Sequence, residues 1–421
     1  METSAPVTPT GDRWVDITDP DVYRGGVPLA TFQRLRDTDP VSWWEERDGK
    51  GFWALTRYAD IIAANRDFKA FSSAEGIRME DMDDATLEAR RTLMEMDPPR
   101  HTQLRRMVHG GFTRRTVATY ERAIRELTGL ILDDVLPQGR FDFVTEVARQ
   151  LPMRMLGRLL GVPDGDGEWL VKQGDALIGN SDPEFTAHVV DQTDTEAYRH
   201  LPFRSPASIE LFEYAQRAAD ERRAHPRDDV ISKLLLATPD GERLTDHEFK
   251  NFFTLMVAAG NDTTRYSITA GLLALIDHPD QLARLRDDPS LVPSAVEEML
   301  RWSTVTMHFR RTATRDLELH GRTIRAGDKV VLWWIAGDFD ERQFPDPLRF
   351  DITRDPNRHL AFGLAGPHRC LGEWLARVEM KVTFEELLPR LAGIRLAGPI
   401  DRLRSNFISG IKHMPVEVTL A

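Results

Sequence analysis

Cys370 is the only cysteine of the chain, and it stands in the stretch Phe362-Gly363-Leu364-Ala365-Gly366-Pro367-His368-Arg369-Cys370-Leu371-Gly372. A lone cysteine closes no internal disulfide, so it is either an inert buried thiol or a metal ligand. Gly363, Gly366 and Pro367 shape a tight loop just before it, and Leu371, Trp374, Leu375, Val378 and Val382 follow at helical spacing. The cysteine therefore stands where a helix starts, and the unpaired N–H groups of a first turn are expected to stabilise a thiolate there. That is the setting of a metal ligand.

Three further groupings carry chemistry. Between residues 251 and 276 only Asp262 and Arg265 are charged, and Pro279 follows, which predicts a helix of about 30 residues, or ~45 Å. Asn261, Asp262, Thr263, Thr264 and Arg265 stand together at its centre, which argues against a membrane span. In Glu298-Met299-Leu300-Arg301 opposite charges lie at i and i+3 on one helix face. In Asp97-Pro98-Pro99-Arg100-His101-Thr102-Gln103-Leu104-Arg105-Arg106, His101 and Arg105 share a face at i and i+4.

The elements that must position these groups are mostly helices. Residues 41–56 read as a hairpin around Asp48-Gly49, and helical periodicity runs from 58 to about 277, broken by Pro98-Pro99, Pro137, Pro163, Pro183 and Pro206. Strand patterns return in Leu317-Glu318-Leu319 and Val330-Val331-Leu332-Trp333-Trp334, with Gly321 and Gly327 as turns. The expectation is a mainly α fold with small β-sheets, a poorly ordered segment 1–17, and a single domain over 18–421. Of the 421 residues 41% are hydrophobic and 29% charged, an ordinary balance with ample core material. Lys and Arg number 55 against 67 Asp and Glu, a net charge of −12 that disfavours nucleic acid and anionic membranes as partners. The opening Met1-Glu2-Thr3-Ser4-Ala5-Pro6 has no basic or apolar leader region, and with one cysteine the expectation is a cytoplasmic protein without a membrane anchor.

Together these pieces resemble the haem-thiolate monooxygenases, the cytochromes P450, whose signature is Phe-Gly-x-Gly-x-His-x-Cys-x-Gly. Gly366, His368, Cys370 and Gly372 fall in register, while Phe362-Gly363 lies one residue further from the cysteine than is commonest. That longer loop is similar to the loop of bacterial members acting on sterols, terpenoids and methyl-branched lipids. The resemblance implies a triangular helical prism with haem b between the long helix and the cysteine helix, and Cys370 as the iron ligand. Ala259-Gly260-Asn261-Asp262-Thr263-Thr264 resembles the family's acid-alcohol motif. It implies that Gly260 leaves room for dioxygen, Thr263 holds it, and Asp262 relays protons to it. His101, Arg105, Arg311 and His368 match haem-propionate positions, with Arg310 the alternative to Arg311. Glu298 and Arg301 match a buried scaffold pair whose third member is Arg349 or His359.

The same resemblance places the substrate among Phe253, Val257, Ala258, Val305, Met307, Phe407 and Ile408, with Ile77, Met79, Met82 and Met94 nearby. A hydrophobic terpenoid, steroid or branched lipid is favoured over a polyketide-type natural product. The sequence has no Gly-x-Gly-x-x-Gly after a strand and no cysteine cluster, so electrons are expected from an external ferredoxin and ferredoxin reductase. Arg369, Arg377 and Lys381 offer a docking face. A haem-thiolate sensor or a peroxide-driven enzyme would gain nothing from the intact Asp262-Thr263 pair, which favours the monooxygenase.

Overall fold

The apolar stretch around Asp262 forms one unbroken helix because both its ends are written into the sequence. Thr245 Oγ1 accepts from the Glu248 N–H at 3.1 Å while Glu248 Oε2 accepts from the Thr245 N–H at 2.8 Å, a reciprocal cap at one end. At the other end the helix stops at Asp277, and Pro279 opens the next one. The computed structural model describes residues 14–46, 49–236 and 243–421. Eight of its helices concern the site: α1 (Arg100–His109), α2 (Glu121–Val135), α3 (Gln150–Leu160), α4 (Gly167–Ile178), α5 (Ala207–Ala224), α6 (Asp246–Asp277), α7 (Val292–Ser303) and α8 (Glu373–Leu387). The 32-residue α6 is the axis, with α3, α4, α5, α7 and α8 packed around it, and α8 also rests on α2. No helix among the described residues is long and apolar enough to cross a membrane.

A five-stranded sheet flanks this bundle. Its strands β1 (Val41–Trp44), β2 (Phe52–Leu55), β3 (Phe71–Ser72), β4 (His308–Ala313) and β5 (Lys329–Trp333) lie in the order β1-β2-β5-β4-β3. The β1/β2 hairpin runs in the register Val41↔Leu55 to Trp44↔Phe52, although Asp48 of the expected turn lies outside the described residues. Leu317–Leu319 pairs with Arg322–Ile324 across Gly321, whose φ of +73° suits glycine. A three-stranded sheet of Arg140–Asp142, Pro415–Leu420 and Leu391–Leu396 was not legible, because Gly393 and Pro415 interrupt its pattern. Of the expected disordered segment, residues 1–13 lie outside the described residues. Residues 14–17 are packed: the Trp14 ring stacks on Trp44 at 6.2 Å, and Ile17 is fully buried.

Glu298 and Arg301 meet on α7 as a bidentate pair with both distances 2.8 Å and neither side chain exposed (0%). A buried pair persists only when every remaining donor and acceptor is satisfied, and here they are. Arg301 Nη1 donates to the carbonyls of Asp338 at 2.8 Å and Pro347 at 3.1 Å, while Glu298 accepts from the Asp351 N–H at 3.0 Å and Asn357 at 3.0 Å. The third charged member is Arg354, whose Nε stands 3.1 Å from Glu298 Oε2. This corrects both sequence candidates: Arg349 gives only its carbonyl to Arg354, and His359 bonds Glu297 instead. The irregular segment before Cys370 is thereby tied to α7. Glu298→Ala strands Arg301 in the core and is expected to cost ~3–5 kcal/mol. Thermal melting followed by circular dichroism should show a large loss, and a wild-type melt would mean the pair is decorative.

Candidate active site

The chain before Cys370 is bent by three consecutive specialities. Gly363 (φ +66°), Ala365 (φ 70°) and Gly366 (φ +88°) all adopt left-handed backbone, and the Phe362 carbonyl accepts from the Cys370 N–H at 2.9 Å to close the loop. At Gly366 a Cβ would stand 2.0 Å from the Asn65 carbonyl oxygen, so only glycine fits. The helix itself begins at Glu373 with Gly372 as its cap, so Cys370 precedes the first turn rather than opening it. Burial pushes the Cys370 thiol up, opposed by the Gly372 N–H and by Arg105 and Arg377. The expectation of a thiolate at a helix start is therefore corrected in its geometry: the sulfur lies before the first turn, and burial works against its ionisation. The residue counts as exposed although its thiol is enclosed by protein.

Beside the sulfur lies a cluster of buried polar side chains short of partners. The His101 ring on α1 and the His368 ring in the loop stand 4.2 Å apart, and among the described residues their nitrogens find no well-formed hydrogen-bond partner, the Met96 backbone acting on His368 only weakly. Burial lowers His101 to about 4 and His368 to about 2, helped by Arg105 and Arg311. Arg311 on β4 is lowered to about 10 by burial and donates only to the Arg310 carbonyl at 2.7 Å. Arg310 turns the other way, to the Glu80 carbonyl at 2.8 Å. The nearby Asp97 carboxylate is committed to Ser72 at 2.5 Å and the Ser73 N–H at 3.0 Å. Buried donors of this kind demand acceptors, and the arrangement fits a ligand bringing two carboxylates.

On α6, Asp262 and Thr263 face different surroundings. Thr263 donates to the Ala259 carbonyl at 2.9 Å, leaves the helix ladder intact, and lines a cavity. Asp262 is fully buried, accepts from Asn261 at 2.9 Å and pairs with Arg265 at 3.0 Å, while its Oδ2 has no partner. Arg265 is shared with Asp175 at 2.7 Å, and Asp175 meets the partly exposed Arg149 at 2.8 Å. Burial and the neighbouring Asp175 carboxylate, against the pull of this shared Arg265, push the Asp262 carboxyl up. Gly260 does not open space in the cavity: its missing side chain faces Leu156 of α3, where a Cβ would come within 3.1 Å. Ala259 borders the cavity in its place.

Of the sequence candidates, Ala258, Phe407 and Ile408 line that cavity, as do Ile77, Met82 and Met94. Phe253, Val257 and Val305 belong instead to the core beneath it, and Met307 and Met79 pack in a separate cluster by the sheet. The cavity face of α6 is Asn251, Leu255, Ala258, Ala259 and Thr263, at spacings of three and four. Phe309 and Arg78 fall within the stretches 305–309 and 73–96 expected to set specificity, though neither is singled out there, and Phe203, in an irregular segment, lies outside every expected stretch. Of the expected docking cations, Arg377 is held by Glu297 at 2.7 Å, Lys381 by Glu121 at 2.7 Å, and Arg369 by Glu373 at 2.7 Å. If the loop needs its left-handed glycine, Gly366→Ala should destabilise the protein by ~2 kcal/mol or more. The variant should also be purified with little bound haem, whereas a normal haem-to-protein ratio would show that the loop tolerates a side chain.

A profile of the cytochrome P450 family matches residues 207–392. The steroid C26-monooxygenase of Mycobacterium tuberculosis is 37% identical over 420 residues, covering 96% of this chain and 92% of its own length. The methyl-branched lipid omega-hydroxylase of the same organism is 37% identical over 397 residues, 92% of this chain and 90% of its own. Among solved structures, cytochrome P450 CYP268A2 of Mycobacterium marinum, in complex with pseudoionone, superposes with a TM-score of 0.87 at 38% identity, over 98% of this chain and 100% of that one. Identity of this extent across nearly the full length places the chain in the cytochrome P450 family, as an oxidoreductase of the monooxygenase type.

Proposed function

We propose that the chain hydroxylates or epoxidises a hydrophobic terpenoid, steroid or branched lipid, with haem b held by Cys370 and electrons from a separate ferredoxin and its reductase. The observation that carries this reading is the convergence of the Cys370 thiol, two buried imidazoles short of partners and the guanidinium groups of Arg105 and Arg311. That set fits a metal centre carrying two carboxylates, and haem has both. His101, Arg105, Arg311 and His368 would take the propionates. Haem bound there supplies the reductive activation of dioxygen. In the overall reaction one oxygen atom enters a C–H or C=C bond and the other leaves as water, consuming two electrons and two protons.

The protein's own task is to deliver those protons to the right place. Thr263 presents its hydroxyl to the cavity, with its proton directed to the Ala259 carbonyl and its lone pairs free to accept. Asp262, whose carboxyl is pushed up by burial, supplies protons from the buried side, where Arg265 links it to Asp175 and so to the partly exposed Arg149 and holds it in place. The apolar cavity walls exclude water. The names of the two relatives that act on a steroid and on methyl-branched lipids support the substrate class. The single cysteine and net charge of −12 support a cytoplasmic setting. A partner would dock beside Arg369, whose side chain stays 44% exposed, more than Arg377 or Lys381.

The test is product formed per NAD(P)H consumed, with a cognate lipid and a competent ferredoxin pair. Thr263→Ala should keep haem and substrate binding yet release reducing equivalents as peroxide, lowering the coupling. Asp262→Asn should slow turnover about 10-fold or more and raise its solvent isotope effect. Because only protonated Asp262 can donate and its carboxyl is pushed up from the usual carboxylate range, wild-type turnover should fall as pH rises through that raised value, and that inflection should vanish in Asp262→Asn. Equal coupling, rates and pH profiles in all three proteins would reduce the polar cluster of α6 to a structural feature.

A further inference from the structure

One guanidinium borders the cavity without a protein acceptor. Arg78 lines the same cavity as Thr263, and its Cζ stands 4.1 Å from the Phe203 ring centroid and 4.8 Å from that of Phe407. Among the described residues no hydrogen bond or ion pair engages its N–H groups. The acids nearest to it act elsewhere. Glu80 is held by Arg90 at 2.8 Å and Arg204 at 3.3 Å. Glu95 is closed into a cap with Thr92, accepting its N–H at 3.0 Å and its hydroxyl at 2.5 Å, and burial raises its pKa. His308, beside Phe407 at 5.4 Å, is lowered to about 3 by burial and by Arg78, so it stays neutral. Burial brings Arg78 itself down only to about 10, so it remains charged at neutral pH.

Glu80 and Glu95 line the same cavity and act on Arg78 through space, but neither gives its guanidinium a direct acceptor. Most of the other walls are apolar, Ile77, Met82, Met94, Leu255, Phe309 and Ile408 among them. An enclosed guanidinium without a direct acceptor is costly, and a ligand that supplies the anion recovers that cost. The ring contacts satisfy the guanidinium as a cation while leaving its planar N–H fork unspent, the geometry that takes a carboxylate with two parallel hydrogen bonds. We propose that Arg78 selects the substrate, receiving the carboxylate of an otherwise apolar acid whose hydrocarbon body fills the cavity. The inference rests on the function proposed above and narrows its substrate class to acids.

The test uses haem-loaded protein and isothermal titration calorimetry with two matched pairs: dodecanoate against dodecan-1-ol, and a cholanic acid against the corresponding cholanol. Wild type should bind the acid of at least one pair about 10-fold or more tightly than its alcohol, the range of a charge-assisted hydrogen bond. Arg78→Met should abolish that preference while binding the alcohol as wild type does, and Arg78→Lys should keep part of it. If ring stacking is all Arg78 does, Arg78→Met lowers the melting temperature and leaves ligand choice unchanged, which overturns the proposal. Equal wild-type affinity for acid and alcohol, or no binding of any probe, overturns it as well. Failure in a protein that incorporates haem removes the carboxylate assignment alone. A protein that takes up no haem removes the proposed function with it.

Discussion

The buried Glu298–Arg301 pair is the constraint on which the geometry of the site depends. Its members lie on one turn of α7, but their remaining hydrogen bonds reach Asp338, Pro347, Asp351, Arg354 and Asn357, all in the largely irregular chain that leads to the cysteine. Two ions removed from water hold together only if every donor finds an acceptor, so these bonds fix the path of a segment that has little regular structure of its own. Asp338 extends the tie: its carboxylate accepts from Thr304 at 2.7 Å, just after α7, and from the Leu360 N–H at 2.7 Å, two residues before Phe362. From there the left-handed turns at Gly363, Ala365 and Gly366 carry the chain to Cys370.

The long helix α6 serves three neighbours at once because its faces differ. Asn251, Leu255, Ala258, Ala259 and Thr263 look into the cavity. Asp262 and Arg265 look away from it, into a buried network with Asp175. Gly260 and Gly271 let other elements approach closely: a Cβ would meet Leu156 at 3.1 Å in the first case and Met299 Sδ at 2.8 Å in the second. A period of 3.6 residues brings the acid and the alcohol, adjacent in sequence, onto surfaces with opposite character. The acid thus sits in a buried polar network while the alcohol borders the cavity.

What could be read from the sequence follows from how each signal is encoded. The cysteine loop was legible because its residue types are confined to a short stretch with fixed spacing. The limits of α6 were legible because Thr245, Glu248 and Pro279 act locally. The cavity face was misread, with Phe253 and Val257 chosen, because a helix apolar on nearly every side has no hydrophobic face to distinguish. Only Asn251 and Thr263, polar residues twelve apart, marked it. Arg354 and Arg78 gave no periodic signal, since each lies in irregular chain and acquires its meaning from partners more than fifty residues away in one case and more than a hundred in the other. Gly260 was assigned to the cavity by analogy, and only packing reveals that it faces Leu156.

The central claim is that Cys370, beside His101, Arg105, Arg311 and His368, binds haem iron as a thiolate. The carbon monoxide difference spectrum of the reduced protein tests it most directly, because the band position reports the ligand opposite the gas. Wild type should absorb near ~450 nm, and Cys370→Ala should lose that band together with most of the haem. A band near ~420 nm in freshly purified protein, or normal haem retention in Cys370→Ala, would contradict it.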